Sequence, residues 1–261
     1  MLRPRIIPCL LIHKGGLVKT QGFTLPKYVG DPINAVKIFN EKEADELVVL
    51  DIDATVNCVE PNYALIAKLA AECRMPLCYG GGITTAAQAA RIIDLGVEKI
   101  AVSAAAVANP ALLTEISNAI GRQSVVAVID VRKKSGLFAK GYDVCTHNAK
   151  TIHKQDPVAL AMLLQNAGAG EIVVNSVDLD GEMKGYDLAL AKQMRMALKV
   201  PLTVLGGAGS LDDIGSLLRA CGVVGAAAGS LFVFKGRYRA VLINYPNAQQ
   251  KNALFEAALT A

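Results

Sequence analysis

Short apolar runs rich in β-branched residues recur along the chain, and each is followed by a stretch whose apolar positions return every three or four residues. The runs are apolar throughout, as expected of strands buried on both faces, and the stretches between them carry helical periodicity. The pattern predicts strands over residues 5–11, 47–52, 76–79, 99–103, 125–130, 172–176, 202–205 and 223–227. Helices are predicted over 33–43, 63–73, 85–95, 111–120, 157–166, 188–197 and 211–220. Asp31-Pro32 and Asp156-Pro157 each set a capping carboxylate before a proline in a first helical turn. Eight strands alternating with helices imply an α/β fold, a closed parallel (β/α)8 TIM barrel filling residues 1–261 as one domain. An open doubly wound sheet is the competing arrangement, but no GxGxxG follows the first strand.

The chain also repeats itself. ELVVLDIDA (46–54) resembles EIVVNSVDLDG (171–181) at an offset of 125, and YGGGITTAAQ (79–88) resembles LGGAGSLDDI (205–214) at an offset of 126. Each half therefore reads as four βα units, giving two half-barrels related by a pseudo-twofold. The same alignment sets IIPCLL (6–11) against VVAVID (125–130), so Leu11 stands where the other half has Asp130.

Composition narrows the chemistry. Of 261 residues 52% are hydrophobic, with mean hydropathy +0.36, yet no apolar run approaches the ~20 residues of a membrane span. The N-terminal MLRPR leads into a strand with no recognisable signal peptide, and the six scattered cysteines lack a CxxC pair, so a reduced, cytoplasmic setting is expected. Cys9 and Cys78 read as small core residues. A net charge of +4 suits anionic small ligands, and no basic stripe with interleaved aromatics points to nucleic acid. His13, His147 and His153 form no metal spacing and read as loop residues, and neither a metal nor a cofactor is expected. Arg132-Lys133-Lys134 reads as a solvated loop that steers anions.

Two glycine-rich corners should face one another across the barrel mouth. One carries Gly80, Gly81 and Gly82 with Ser103, and the other carries Gly206, Gly207 and Gly209 with Gly229 and Ser230. Glycine lets backbone N–H groups approach an oxyanion closely, and a following helix N-terminus adds positive potential. Symmetric corners suggest a ligand with two phosphates.

The motifs RIIPCL (5–10), GGGI (80–83), KIAVSAAAVANP (99–110), VVAVID (125–130), AGEIVVNSVDLDGEMKGYD (169–187), GGAG (206–209) and AAGSLF (227–232) together resemble the cyclase subunit family of imidazole glycerol phosphate synthase over residues 1–235. The resemblance implies a barrel that receives ammonia from a class I glutaminase and cyclises a bisphosphorylated ribonucleotide to imidazole glycerol phosphate and an aminoimidazole carboxamide ribotide. It implies catalytic roles for Asp130, Lys19 and Asp180. Phosphate contacts would come from Gly81, Gly82, Ser103, Gly181, Gly206, Gly207, Gly229 and Ser230, and an ammonia gate from Arg5, Glu46, Lys99 and Glu171. The chain departs from the family at its mouth: Leu11 replaces the first-strand aspartate, Ser103-Ala104 an asparagine-threonine pair, Asn175 a threonine and Leu205 a serine. The tail GSLFVFKGRYRAVLINYP (229–246) resembles a second, cyclase-like subunit found with bacterial surface-polysaccharide genes. That likeness implies delivery of ammonia to an amidotransferase that builds acetamidino groups on nucleotide-linked sugars, with weak or no cyclase activity. The alternative is a genuine cyclase of histidine biosynthesis, with Lys14 or Lys19 standing in for the missing acid.

Overall fold

The computed structural model describes residues 3–136, 140–236 and 238–259, so Met1 and Leu2 of the N-terminal segment and Arg237 of the tail motif lie outside the described residues. Eight parallel strands close on themselves: Arg5–His13, Leu47–Asp51, Leu77–Gly80, Lys99–Val102, Val125–Lys133, Glu171–Ser176, Leu202–Leu205 and Gly225–Ala228. Consecutive strands pair in sequence order, and Arg5–Pro8 pairs with Gly225–Ala228 to complete the circle. That closing ladder gives the (β/α)8 barrel and excludes the open sheet, because no strand of the ring is left with an edge.

Packing follows from the double burial of each strand. One set of side chains meets the surrounding helices in the main apolar layer, which includes Ile6, Phe39, Leu69, Tyr79 and Ile129. The opposite set fills the barrel interior with the small residues Cys78, Ala101, Val126, Val128 and Val173. The helices are Pro32–Glu41, Tyr63–Glu72, Ala86–Asp94, Ala111–Ile120, Pro157–Asn166, Leu188–Ala197, Leu211–Cys221 and Ala248–Leu259. The half-barrel repeat extends to their caps. Asp31 accepts from Asn34 N at 2.9 Å and Asp156 from Ala159 N at 2.8 Å, while Thr85 with Gln88 and Ser210 with Asp213 form reciprocal capping boxes.

Four expectations need correction. The first and fifth strands run past Leu11 and Asp130 because each continues into an antiparallel excursion: Gly16–Gln21 with Thr24–Gly30, and Tyr142–Thr146 with Thr151–His153. Arg132 and Lys133 are therefore strand residues paired with Asp143 and Tyr142, and Arg132, Lys133 and Lys134 form ion pairs with Asp178, Asp187 and Asp143. His13 and His153 end strands, where Asp53 and Thr146 hold their rings at 2.7 and 2.9 Å, whereas His147 lies in a turn. Ser103 caps the short helix Ala104–Ala108 instead of ending the fourth strand. The two excursions meet above the mouth, where Phe23 packs on Cys145, Ala149 and Val177.

The eighth helix, absent from the sequence reading, fastens the tail to the barrel floor. Lys251 Nζ donates to Asp45 at 2.6 Å, and Asp45 accepts from Ile6 N at 2.9 Å. Tyr245 OH donates to Ile6 O at 2.8 Å and accepts from Asp45 N at 3.1 Å. Tyr245→Phe leaves both backbone groups without this partner and should lower unfolding free energy by ~1–3 kcal/mol. Urea denaturation checks this: an unchanged midpoint would show that the hydroxyl carries no part of the attachment.

Candidate functional site

At the C-terminal end of the strands lies a cavity of about 490 Å³. Lys19, Asp130, Asp180, Gly81, Gly82, Ser103, Gly181, Gly206, Gly207, Gly229 and Ser230 all line it, whereas Gly209, expected in the second corner, does not and instead bonds Asp213 through its N–H. Leu11 lines it too. Lys14 does not: it sits exposed in the turn after the first strand with φ +50° and cannot replace the missing acid.

Asp130 has a polar neighbour on either side. Asn175, its register partner on the sixth strand, donates to Oδ1 at 2.9 Å, and Ser103 lines the same cavity on the fourth-strand side. Burial pushes the Asp130 carboxyl up to about 6 against the pull of Asn175 and Ser103, and the Asp180 charge pushes the same way as burial. A carboxyl poised there can both take and give a proton near neutrality. Asp180 is anchored differently: Thr20 Oγ1 donates to Oδ2 at 2.5 Å and Phe23 N at 3.2 Å, so the first excursion is clasped onto the loop after the sixth strand. Asp51 also lines the cavity. Its Oδ1 accepts from Asp53 N and Ala54 N, and burial raises its carboxyl above the ordinary range.

The two glycine corners are less alike than their sequences. Gly82 N already donates to Thr55 Oγ1 at 3.2 Å, which removes one donor from the first corner. Gly207 has φ +107°, and a Cβ there would run into the Gly185 carbonyl, so the second corner needs glycine on both counts. The expected help from the long helices is missing. Thr84 N and Thr85 N donate to Gln88, and Gly209 N and Ser210 N donate to Asp213, so both N-termini are satisfied by their own side chains. Ser103 and Gly229 instead begin the short helices Ala104–Ala108 and Ser230–Val233 with no side-chain cap bond, at similar backbone angles (−116°, −87° and −106°, −69°).

The four charges at the other end close into a ring. Arg5 bonds Glu46 and reaches Glu171 at 2.7 Å, and Lys99 Nζ lies 2.9 Å from Glu46 and 3.0 Å from Glu171. The glutamates are nearly inaccessible, with side chains 4% and 6% exposed. Burial works against charge on Arg5 and Lys99, yet Glu171 and Glu46 together hold both cations above their ordinary pKa. Burial likewise opposes ionisation of Glu171, but Arg5, Lys99 and the Thr203 hydrogen bond together hold its carboxyl below the ordinary range. Immediately above lies a second cavity of about 20 Å³, lined by Glu46 and Glu171 below and by Cys9, Leu50 and Leu205 above. Those last three also line the mouth, so the ring, the small cavity and the mouth follow one axis. About 10–15 Å³ suffices for a water-sized molecule. Cys9 and Cys78 are buried, as expected of core residues, and burial pushes the Cys9 thiol up to about 11.

Sequence reasoning passed over Asp51, Thr55, His147 and Asn148, all of which line the mouth. Asn148 donates to Ile52 O at 2.9 Å across 96 residues, and nothing local in the sequence marks that contact. The half-barrel alignment could have flagged Asp51, whose counterpart 125 residues on is Ser176.

A (β/α)8 barrel with paired glycine corners and a polar arc at its mouth belongs to the class of barrels that carry their site on the C-terminal face. Comparison with known proteins narrows the class. The family model described as "Histidine biosynthesis protein" matches residues 5–239. A Vibrio vulnificus protein provisionally named imidazole glycerol phosphate synthase subunit hisF3 is 54% identical over 98% of both chains. A Pseudomonas aeruginosa protein, provisionally named subunit hisF2, is 50% identical over 96% of this chain and 98% of its own. Imidazole glycerol phosphate synthase subunit HisF of Clavibacter michiganensis is 38% identical over 88% of this chain and 87% of its own. The chain belongs to this histidine biosynthesis family and is a HisF-like barrel.

The raised carboxyl fixes a pH signature. Between the unfolded value of ~3.9 and the folded value of about 6, the folded chain binds the extra Asp130 proton, so wild-type stability falls as pH rises through that window. Asp130→Asn lacks that proton. The variant should therefore gain on the wild type from about pH 4 to about pH 6, with a constant difference above that window. Denaturation of both proteins across the range reads this directly, and a difference flat with pH would contradict it.

Proposed function

We propose that this chain is the barrel subunit of a glutamine amidotransferase, a single barrel domain along its length. It docks a class I glutaminase on its floor and passes ammonia up the axis to the mouth. There it has weak or no cyclase activity of its own. The ammonia serves a separate amidotransferase acting on nucleotide-linked sugars in surface-polysaccharide biosynthesis.

One combination carries this reading: the entrance is complete while the mouth has lost one of two opposed acids. Arg5, Glu46, Lys99 and Glu171 close the ring beneath a void of about 20 Å³. That void is the size of one small neutral molecule, and walls of valine, alanine and cysteine favour ammonia over ammonium. At the mouth, Leu11 faces the cavity that Asp130 also lines. A leucine exchanges no proton, and loss of one positioned acid or base lowers rate by ~10²–10⁴. The relatives at 50–54% identity carry synthase-subunit names, and the imidazole glycerol phosphate synthase name of the one at 38% supports a partnered subunit.

A second reading, a cyclase of histidine biosynthesis, is favoured by one observation. Asp51 puts another carboxyl with a raised pKa into the same cavity, next to the first strand.

Two measurements separate the readings. The chain and its cognate glutaminase should co-elute as a one-to-one complex at micromolar concentration, and separate elution would overturn the shared part of both. Supplied with ammonium salts and the bisphosphorylated ribonucleotide, wild type should turn over poorly and Leu11→Asp should gain activity. Wild-type turnover at the level of an ordinary cyclase would sink the scaffold reading, and its loss in Asp51→Asn would then identify the substitute acid.

A further inference from the structure

Lys19 lies within the first excursion, between Leu17 and Gln21, and is 5% exposed. Its carboxylate neighbours are engaged elsewhere: Asp180 by Thr20 and Phe23, and Asp130 by Asn175. The residue paired with neighbouring Val18 on the first strand is Leu11, which offers no charge. Among the described residues no carboxylate approaches Lys19 Nζ within 4.0 Å. An ammonium removed from water without a counter-charge is strongly disfavoured, and a ligand anion beside it relieves that cost.

The position of the ammonium says where that anion goes. Nζ fills the space that a Cβ on Gly229 would occupy, close to the Cys9 carbonyl. It is therefore seated against the Gly229 side of the second corner, whose Gly206, Gly207 and Ser230 line the same mouth. Gly229 has φ −106°, an angle any residue adopts, so glycine is required there for the room it gives the lysine and not for its backbone.

We propose that Lys19 is the fixed cation of the strand-seven and strand-eight corner, holding a phosphate or similar oxyanion of the ligand, and takes no part in proton transfer at Asp130. The inference rests on the reading of that corner as a phosphate site and gives it a charge that its glycines lack. It also makes the corners unequal, because the one at Gly81 and Gly82 has no buried ammonium at hand.

The test titrates the full-length chain with inorganic phosphate. Amide resonances of Gly207 and Gly229 follow one corner, and those of Gly81 and Gly82 follow the other. Lys19→Met should weaken binding at Gly207 and Gly229 about ten- to a hundredfold, the range for a charge-assisted contact, and leave the Gly81 and Gly82 response within twofold. Lys19→Arg should recover part of the loss. Gly229→Ala, which displaces the ammonium, should weaken the same corner. Wild-type affinity at Gly207 and Gly229 in Lys19→Met would overturn the assignment of Lys19 alone. Equal losses at both corners would also overturn it, as a disturbance of the whole excursion. A wild-type chain silent at every glycine would instead remove the phosphate reading itself, and this inference with it.

Discussion

Four charges inside an apolar barrel impose the tightest constraint on this molecule. Each glutamate of the floor ring is shared by Arg5 and Lys99, so removing any one member leaves a net charge buried among the other three. Thr203 Oγ1 adds a hydrogen bond of 2.6 Å to Glu171, and Arg5 is fixed on a strand whose next residue bonds Asp45. Breaking one partner of such a buried set costs ~3–5 kcal/mol, although well-packed apolar replacements of the whole set are often neutral or better. Stability therefore gives no reason to keep these charges. Their place directly beneath the axial void is what the proposed passage of ammonia would use.

The two ends of the barrel differ in character. The floor is polar, closed and complete. The mouth is split, with Ser103 just past the fourth strand and Asp130 and Asn175 on the fifth and sixth making a polar arc, while Leu205, Leu11 and Leu50 make an apolar wall on strands seven, one and two. Where the half-barrel repeat would set two carboxylates face to face, one half offers a half-buried acid and the other a leucine. On the leucine side the nearest carboxyl set into the cavity is Asp51, at the end of the second strand.

Much of the barrel was readable because strands buried on both faces are apolar throughout and helices declare themselves by caps. Asp31-Pro32 and Asp156-Pro157 marked two helix starts, and the glycine corners marked the mouth. The excursions were missed because their strands look like loops: Gly16–Gln21 follows a basic glycine turn, and Thr24–Gly30 is mostly exposed. The eighth helix was missed for a related reason. Its sequence AQQKNALFEAAL is polar at its start, and its anchor, Lys251 on Asp45, spans 206 residues. The seat of Lys19 was invisible for a simpler cause, since it depends on an absent side chain at Gly229. Long-range contacts of this kind leave no periodic trace.

The floor ring also bears on how the chain is made. Arg5, Glu46 and Lys99 leave the ribosome well before Glu171, so an N-terminal half-barrel collapsing alone would enclose two cations with one anion. The closing ladder comes later still, when residues 225–228 reach Arg5 and its neighbours. A nascent first half can form its helices and local pairings, but its interior stays uncompensated until the sixth strand arrives. Charge balance on the barrel floor is thus reached only when both halves of the chain are in place.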